Sequence, residues 1–172
     1  KYQLVNDEQS KLLVTPGFTF TFALGDNEVF QGNDHGDGQF DFFVSAAKSF
    51  DKVQLMGNIG LILPLDSDKD TSQLHYSLQA AYPVCQWFKP FVVLNGWTVL
   101  SEGNVIGLDS EGYDVINFGS ANAGGETMFV LGGGFRTSLC ESVDVGVAYE
   151  KGLDHDNGIF DDRITVDLVW KF

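Results

Sequence analysis

Hydrophobic and polar residues alternate one for one along most of this chain. The clearest stretch is 163–172. Ile164, Val166, Leu168, Trp170 and Phe172 fall on one side of an extended backbone. Arg163, Thr165, Asp167 and Lys171 fall on the other, with Val169 the one apolar residue among them. Successive side chains of a strand point to opposite faces, so a period of two predicts a strand whose sides meet different media. Segment 72–82 repeats the pattern, with Leu74, Tyr76, Leu78, Ala80 and Tyr82 against Gln73, His75, Ser77, Gln79 and Ala81. Segment 143–151 does so again, with Val143, Val145, Val147 and Tyr149 against Asp144, Gly146, Ala148 and Glu150.

The same reading extends through the rest of the chain. Residues 1–5 look like the tail of a strand, followed by a turn at 6–10. A long strand at 11–24 carries Phe18, Phe20 and Phe22 on its apolar face. Pro16 shares that face and removes one ladder hydrogen bond, so a bulge or bend is expected beside it. Strands follow at 39–48 and 52–63, the second with Gln54, Met56 and Asn58 on its polar side. Segment 90–100 also reads as a strand, but Asn95 and Gly96 leave its phase open. A glycine-rich strand covers 126–137. The sum is about eight full strands plus a partial one at the amino terminus.

The connections alternate in length. Short turns fall at 6–10, 49–51, 83–89 and 138–142, and longer loops at 25–38, 66–70, 101–125 and 152–161. Charge follows the same division. Asp26, Glu28, Asp34, Asp66, Asp109 and Asp154 are among the carboxylates of the longer loops, while Lys11, Lys48, Lys52, Lys89, Arg136 and Lys171 sit near the other ends. Outer-membrane barrels show this sidedness, with short periplasmic turns and longer external loops. The expected fold is therefore all-β: an antiparallel up-and-down transmembrane β-barrel, read as one domain over 1–172.

Composition changes this picture little and excludes some alternatives. Twenty glycines, 15 phenylalanines and only 4 prolines suit strands and tight turns. No apolar run approaches the roughly 20 residues of a membrane-spanning helix, and no signal peptide is visible, so the chain reads as mature or as a fragment. The net charge of −14 argues against nucleic acid as a partner, because phosphate requires Lys and Arg. Cys85 and Cys140 show no metal-ligand spacing. They lie in turns at the same end, so an exported protein would be expected to join them in one disulfide.

Alternation alone does not say which face points inward. A soluble lipocalin-like barrel would line a ligand cavity with its apolar face. The membrane reading is preferred on three grounds: a polar face rich in small residues, aromatics near strand ends, and a chain ending on an aromatic strand. On that reading Phe18, Phe20, Phe22, Tyr76, Tyr149, Trp170 and Phe172 face lipid. The lumen is lined from successive strands by Asp41, by Gln54 and Asn58, and by Gln73, His75 and Gln79. Asp144 and Glu150, then Arg163 and Asp167, complete it. The long loops would be extracellular, and the short turns and carboxy terminus periplasmic.

Several stretches also carry a resemblance. Val5-Asn-Asp-Glu-Gln-Ser-Lys-Leu-Leu-Val-Thr-Pro-Gly17, Phe43-Val-Ser-Ala-Ala-Lys48, Asn117-Phe-Gly-Ser120 and Gly146-Val-Ala-Tyr-Glu-Lys-Gly152 are similar to a poorly characterised group of proteobacterial-type outer-membrane barrels. These are transporters associated with meta-pathway phenol degradation, and 163–172 resembles the closing strand of such barrels. The resemblance spans nearly the whole chain and implies an outer-membrane location and transport of hydrophobic or aromatic solutes. Members of the group are usually longer, which would make this chain the carboxy-terminal part of a larger barrel.

Catalytic motifs are weak by comparison. His75 and Ser77 share a strand face but sit about 6–7 Å apart, too far for a direct base–nucleophile bond, and no enzyme is expected. Asp66, Asp68 and Asp70 have the opening spacing of a calcium loop, but Thr71 replaces its glycine. Loop Ca2+ or Mg2+ is the weak alternative to solvated carboxylates, as it is for 33–37 and 154–157. No cofactor is expected. The functional expectation is an outer-membrane channel or transporter for small solutes, with outer-membrane lipid as its surroundings. The alternative is a closed structural barrel that interacts through its loops.

Overall fold

The computed structural model describes residues 1–22, 38–85, 87–153 and 159–171. It is all-β, with nine strands in one antiparallel sheet ordered as in the chain. They are β1 (Val5–Asp7), β2 (Leu12–Phe22), β3 (Gly38–Phe50), β4 (Val53–Pro64) and β5 (Ser72–Ala81). After them come β6 (Lys89–Ser101), β7 (Thr127–Cys140), β8 (Val143–Gly152) and β9 (Asp162–Trp170). Every strand pairs with its sequence neighbour, as short hairpin connections dictate. The expectation of eight strands and an amino-terminal stub holds, with boundaries shifted by a few residues.

The sheet is strongly curled. A cavity of about 450 Å3 is lined by side chains from every strand between β2 and β9, including Thr15 at one flank and Thr165 at the other. Most of the lining residues belong to the polar faces, with Ala46 and Gly57 added from the other side. The apolar residues of the same strands stand on the convex side, with Ile164 73% and Trp170 71% exposed. The structure thus decides what alternation could not: the polar face is concave. It also fixes the phase of β6. Asn95 lies opposite Ser77 and Val130, and Trp97 opposite His75 and Met128, so Phe91, Val93, Asn95, Trp97 and Val99 all point inward.

The curl does not close. No Cα of β9 lies within 8 Å of β1 or β2. Antiparallel alternation also makes β1 and β9 run in the same direction. Nor does Pro16 bend the sheet as expected. The β2–β3 register runs without a break from Leu12 opposite Lys48 to Phe22 opposite Gly38. The Pro16 carbonyl accepts a hydrogen bond from the Tyr2 N–H at 2.9 Å, so its backbone polar groups face the amino-terminal edge. The missing N–H therefore falls on the amino-terminal side of β2 and leaves the β2–β3 ladder intact.

Candidate functional site

The concave face carries a set of side-chain pairs that reach over an intervening strand. His75 on β5 meets Asp41 on β3, with Nε2 and Oδ1 2.8 Å apart. Between them, Gly60 on β4 presents no side chain; a Cβ there would lie 2.3 Å from the imidazole Nε2. Arg136 on β7 donates to Asp167 on β9 at 3.0 Å across Gly146 of β8. Asn95 on β6 donates to Glu150 on β8 at 3.4 Å across Gly132 of β7. Strands two apart in a sheet are separated by roughly 10 Å, so such pairs form only where the middle strand has nothing in the way. The glycines of β4, β7 and β8 therefore place the interior polar pairs. Tyr76 and Phe129 meet over Gly96 by the same rule on the convex face.

Charge on this wall is largely paired. Arg163 holds Glu150 through Nε at 2.9 Å and Nη2 at 3.1 Å, and donates from Nη1 to Asp114 at 2.7 Å. Thr165 adds a fourth donor contact to Glu150 at 3.0 Å. At the short-turn end Lys171 pairs with Asp144 at 2.6 Å, and Lys89 donates to Ser138 at 3.1 Å. One wall of the cavity is mainly apolar, with Leu13, Met56 and Phe91. The strands β7 to β9 contribute Arg136, Glu150 and Asp167, with the Arg136 guanidinium 5.6 Å from the Phe91 ring.

The long-loop end is filled by segment 102–126, which folds back onto the concave face. Tyr113 and Ala123 from this segment pack with Trp97 and Val99 of β6 and Met128 and Val130 of β7, and Phe160 completes the cluster. Tyr113 meets Trp97 at 5.6 Å and Phe160 at 5.1 Å between ring centroids. Two side chains organise the segment. Glu111 is fully buried and accepts the N–H groups of Phe118 at 2.7 Å, Ser120 at 2.8 Å and Gly112 at 3.3 Å. Asn117 bonds Thr71 through its backbone carbonyl, its N–H and its hydroxyl. Gly103 and Gly119 let the segment press against the Lys69 carbonyl, where either Cβ would sit within 2.4 Å.

Comparison of the chain with known families, characterised proteins and solved structures finds no match.

All ten residues expected in the lumen lie on the concave face by strand register. Asn58, Gln79, Glu150 and Asp167 line the cavity itself. Gln73 is only 1% exposed and bonds Thr71 beneath the folded segment, away from the open space. Phe18, Phe20, Phe22, Tyr76, Tyr149 and Trp170 lie on the convex face, as expected for that side; Phe172 is outside the described residues.

The expected Cys85–Cys140 disulfide is not formed: both cysteines are free and exposed. Cys85 lies on the β5 side of its hairpin, bonded to Phe88, and it is Phe88 that reaches β7, packing on Phe135 at 5.8 Å. Asp66, Asp68 and Asp70 do not converge, and among the described residues no metal-binding group of three His, Cys, Asp or Glu exists. Asp66 instead accepts the Asp68 N–H and pairs with Lys69 at 3.3 Å. The oxygen-rich stretches at 33–37 and 154–157 are outside the described residues.

The sequence marks 101–125 only as the longest loop, carrying several carboxylates; it does not single out Glu111, Trp97 or Tyr113, and Asn117 enters only through the family resemblance. The available signal was local: aromatic Tyr113 and the Asn117-Phe-Gly-Ser120 turn are unusual in a purely solvated loop.

Proposed function

We propose that this chain forms the wall of an outer-membrane β-barrel whose polar interior admits small solutes. The observation that carries the reading is the inversion of its faces. The convex surface of β2 to β9 is predominantly apolar, with charge near the strand ends at Lys48, Lys151 and Asp162, whereas the cavity holds paired charges and amides. A soluble protein seldom exposes so large an apolar surface. A lipocalin-like ligand barrel would carry these apolar residues inside. Lipid on the convex side and water on the concave side match both surfaces. Aromatics such as Tyr149 and Trp170 then lie where an interfacial girdle belongs, and the acidic loops lie on the external side. The free edge of β9 has no lipid-compatible partner among the described strands, so this reading requires further strand pairing at the seam.

The test is reconstitution of the native protein. Brominated phospholipid is expected to quench Trp170, and planar bilayers to show a cation-preferring conductance whose selectivity weakens as salt screens the acidic mouth. Absence of Trp170 quenching overturns the membrane assignment. Anion selectivity overturns the channel.

A second reading, a closed barrel acting through its loops, is favoured by segment 102–126 filling one mouth. Steady conductance excludes it.

A further inference from the structure

Segment 102–126 is unevenly attached. Its root is wired into the neighbouring loop by Asn117, through three bonds to Thr71, and is braced from within by the buried Glu111 carboxylate, which accepts the Phe118 and Ser120 N–H groups. Its tip, the turn around Gly112 to Ile116, carries contacts of a different kind. One is the ring of Tyr113, buried beside Trp97 and Phe160. Another is the ion pair of Asp114 with Arg163, whose side chains are 45% and 24% exposed. Tyr113 has φ +53°, in the left-handed region. An aromatic residue rarely adopts that conformation, and it persists only where surrounding contacts enforce it. The tip is thus strained, wedged over the hydrophobic cluster, and tethered by a partly exposed charge pair. Arg163 also grips Glu150, a residue that lines the cavity, and lies over the Phe160 ring at 4.7 Å.

We propose that the tip of segment 102–126 is a plug latched to the barrel wall by Arg163, and that release of Asp114 uncovers the loop-side mouth. The fixed parts are Glu111 and Asn117, and the moving part is the turn between them. When Asp114 lets go, Tyr113 leaves the cluster and relaxes out of its left-handed backbone. Arg163 stays on Glu150, so the wall keeps its shape. Trp97 and Met128 then face the opening.

The proposal concerns the cavity of the proposed function but is read independently of conductance. The native protein carries three tryptophans; Trp87→Phe with Trp170→Phe leaves Trp97 as the single reporter. Trp97 is buried, so acrylamide quenching of its fluorescence reports plug opening. Removing a partly exposed ion pair shifts such a balance by about two- to fivefold. Asp114→Ala is expected to raise the quenching constant on that scale. Lys171→Gln, which removes an interior charge pair at the opposite end, is expected to leave it unchanged. In the reporter protein without further substitution, raising NaCl from about 0.05 to about 1 M should increase quenching, because screening weakens the latch. The proposal is overturned if Asp114→Ala folds and quenches like its parent, or if salt leaves Trp97 equally shielded. It is also overturned if Lys171→Gln opens the mouth as far as Asp114→Ala does. A failure to conduct ions leaves each of these readouts intact.

Discussion

Gly60→Ala tests the rule that glycines place the interior pairs. The new Cβ would stand 2.3 Å from His75 Nε2, 2.7 Å from Cε1 and 2.8 Å from the Phe42 carbonyl oxygen. The imidazole can swing away, but it then gives up Asp41, whose Oδ1 it holds at 2.8 Å. Both side chains are mostly shielded, at 18% and 28% exposure, so a charge-assisted bond of about 1.5–3 kcal/mol is at stake. The Phe42 oxygen is backbone and cannot step aside without moving β3, an overpacking cost of about 1–3 kcal/mol. Alanine returns about 0.4–1 kcal/mol by restricting the unfolded chain. The expected net loss is about 2–4 kcal/mol, since the two costs overlap. Gly57→Ala on the same strand is the internal control. Its Cβ would meet only the Ser77 carbonyl, at an ordinary 3.6 Å, so it should be neutral or slightly stabilising. The assay is urea unfolding of the lipid-reconstituted protein followed by tryptophan fluorescence, with His75→Ala completing a double-mutant cycle. In the His75→Ala background, Gly60→Ala should cost less, leaving only the Phe42 contribution. Equal stabilities for Gly60→Ala and Gly57→Ala, or an undiminished cost without the imidazole, would refute the reasoning.

Two further predictions concern carboxylates outside the strand interior. Glu111→Ala leaves three backbone N–H groups in a buried loop without their acceptor, an expected loss of about 3 kcal/mol or more; Glu111→Gln should recover part of it, and equal midpoints for parent and Ala variant in thermal melts would contradict the structure. At the amino-terminal turn the Ser10 hydroxyl, then the Ser10 and Gln9 N–H groups, hold the exposed Asp7 carboxyl below the usual carboxylate range. Because the folded pKa is depressed, the stabilisation is present above the unfolded carboxylate pKa and is lost as pH falls through the folded one. Ser10→Ala should move the Asp7 titration upward in carbon-13 NMR, and a titration indifferent to Ser10 would show that the turn hydrogen bonds have no part in it.

The strands were legible because their cause is local. Period-two alternation in 72–82, 143–151 and 163–172 follows from side chains meeting two media, and hairpin-length turns leave antiparallel neighbours as the simple pairing. The face assignments of β5, β8 and β9 came with it. Segment 90–100 is ambiguous because both of its faces are largely apolar: one looks outward, and the other runs from the cavity at Phe91, Val93 and Asn95 to Trp97 and Val99 buried with segment 102–126. Only the tertiary structure decided which face became concave, since the direction of curl belongs to the whole sheet and not to any strand. It alone revealed that Gly60, Gly132 and Gly146 stand between polar partners, because those partners are two strands apart in space and up to 55 residues apart in sequence. The same distance explains Glu111 and the cysteines. A carboxylate in a loop reads as solvated until the loop is seen to fold over it. Two thiols in turns at the same end read as a pair until the hairpin tip is seen to carry Phe88, and not Cys85, toward β7.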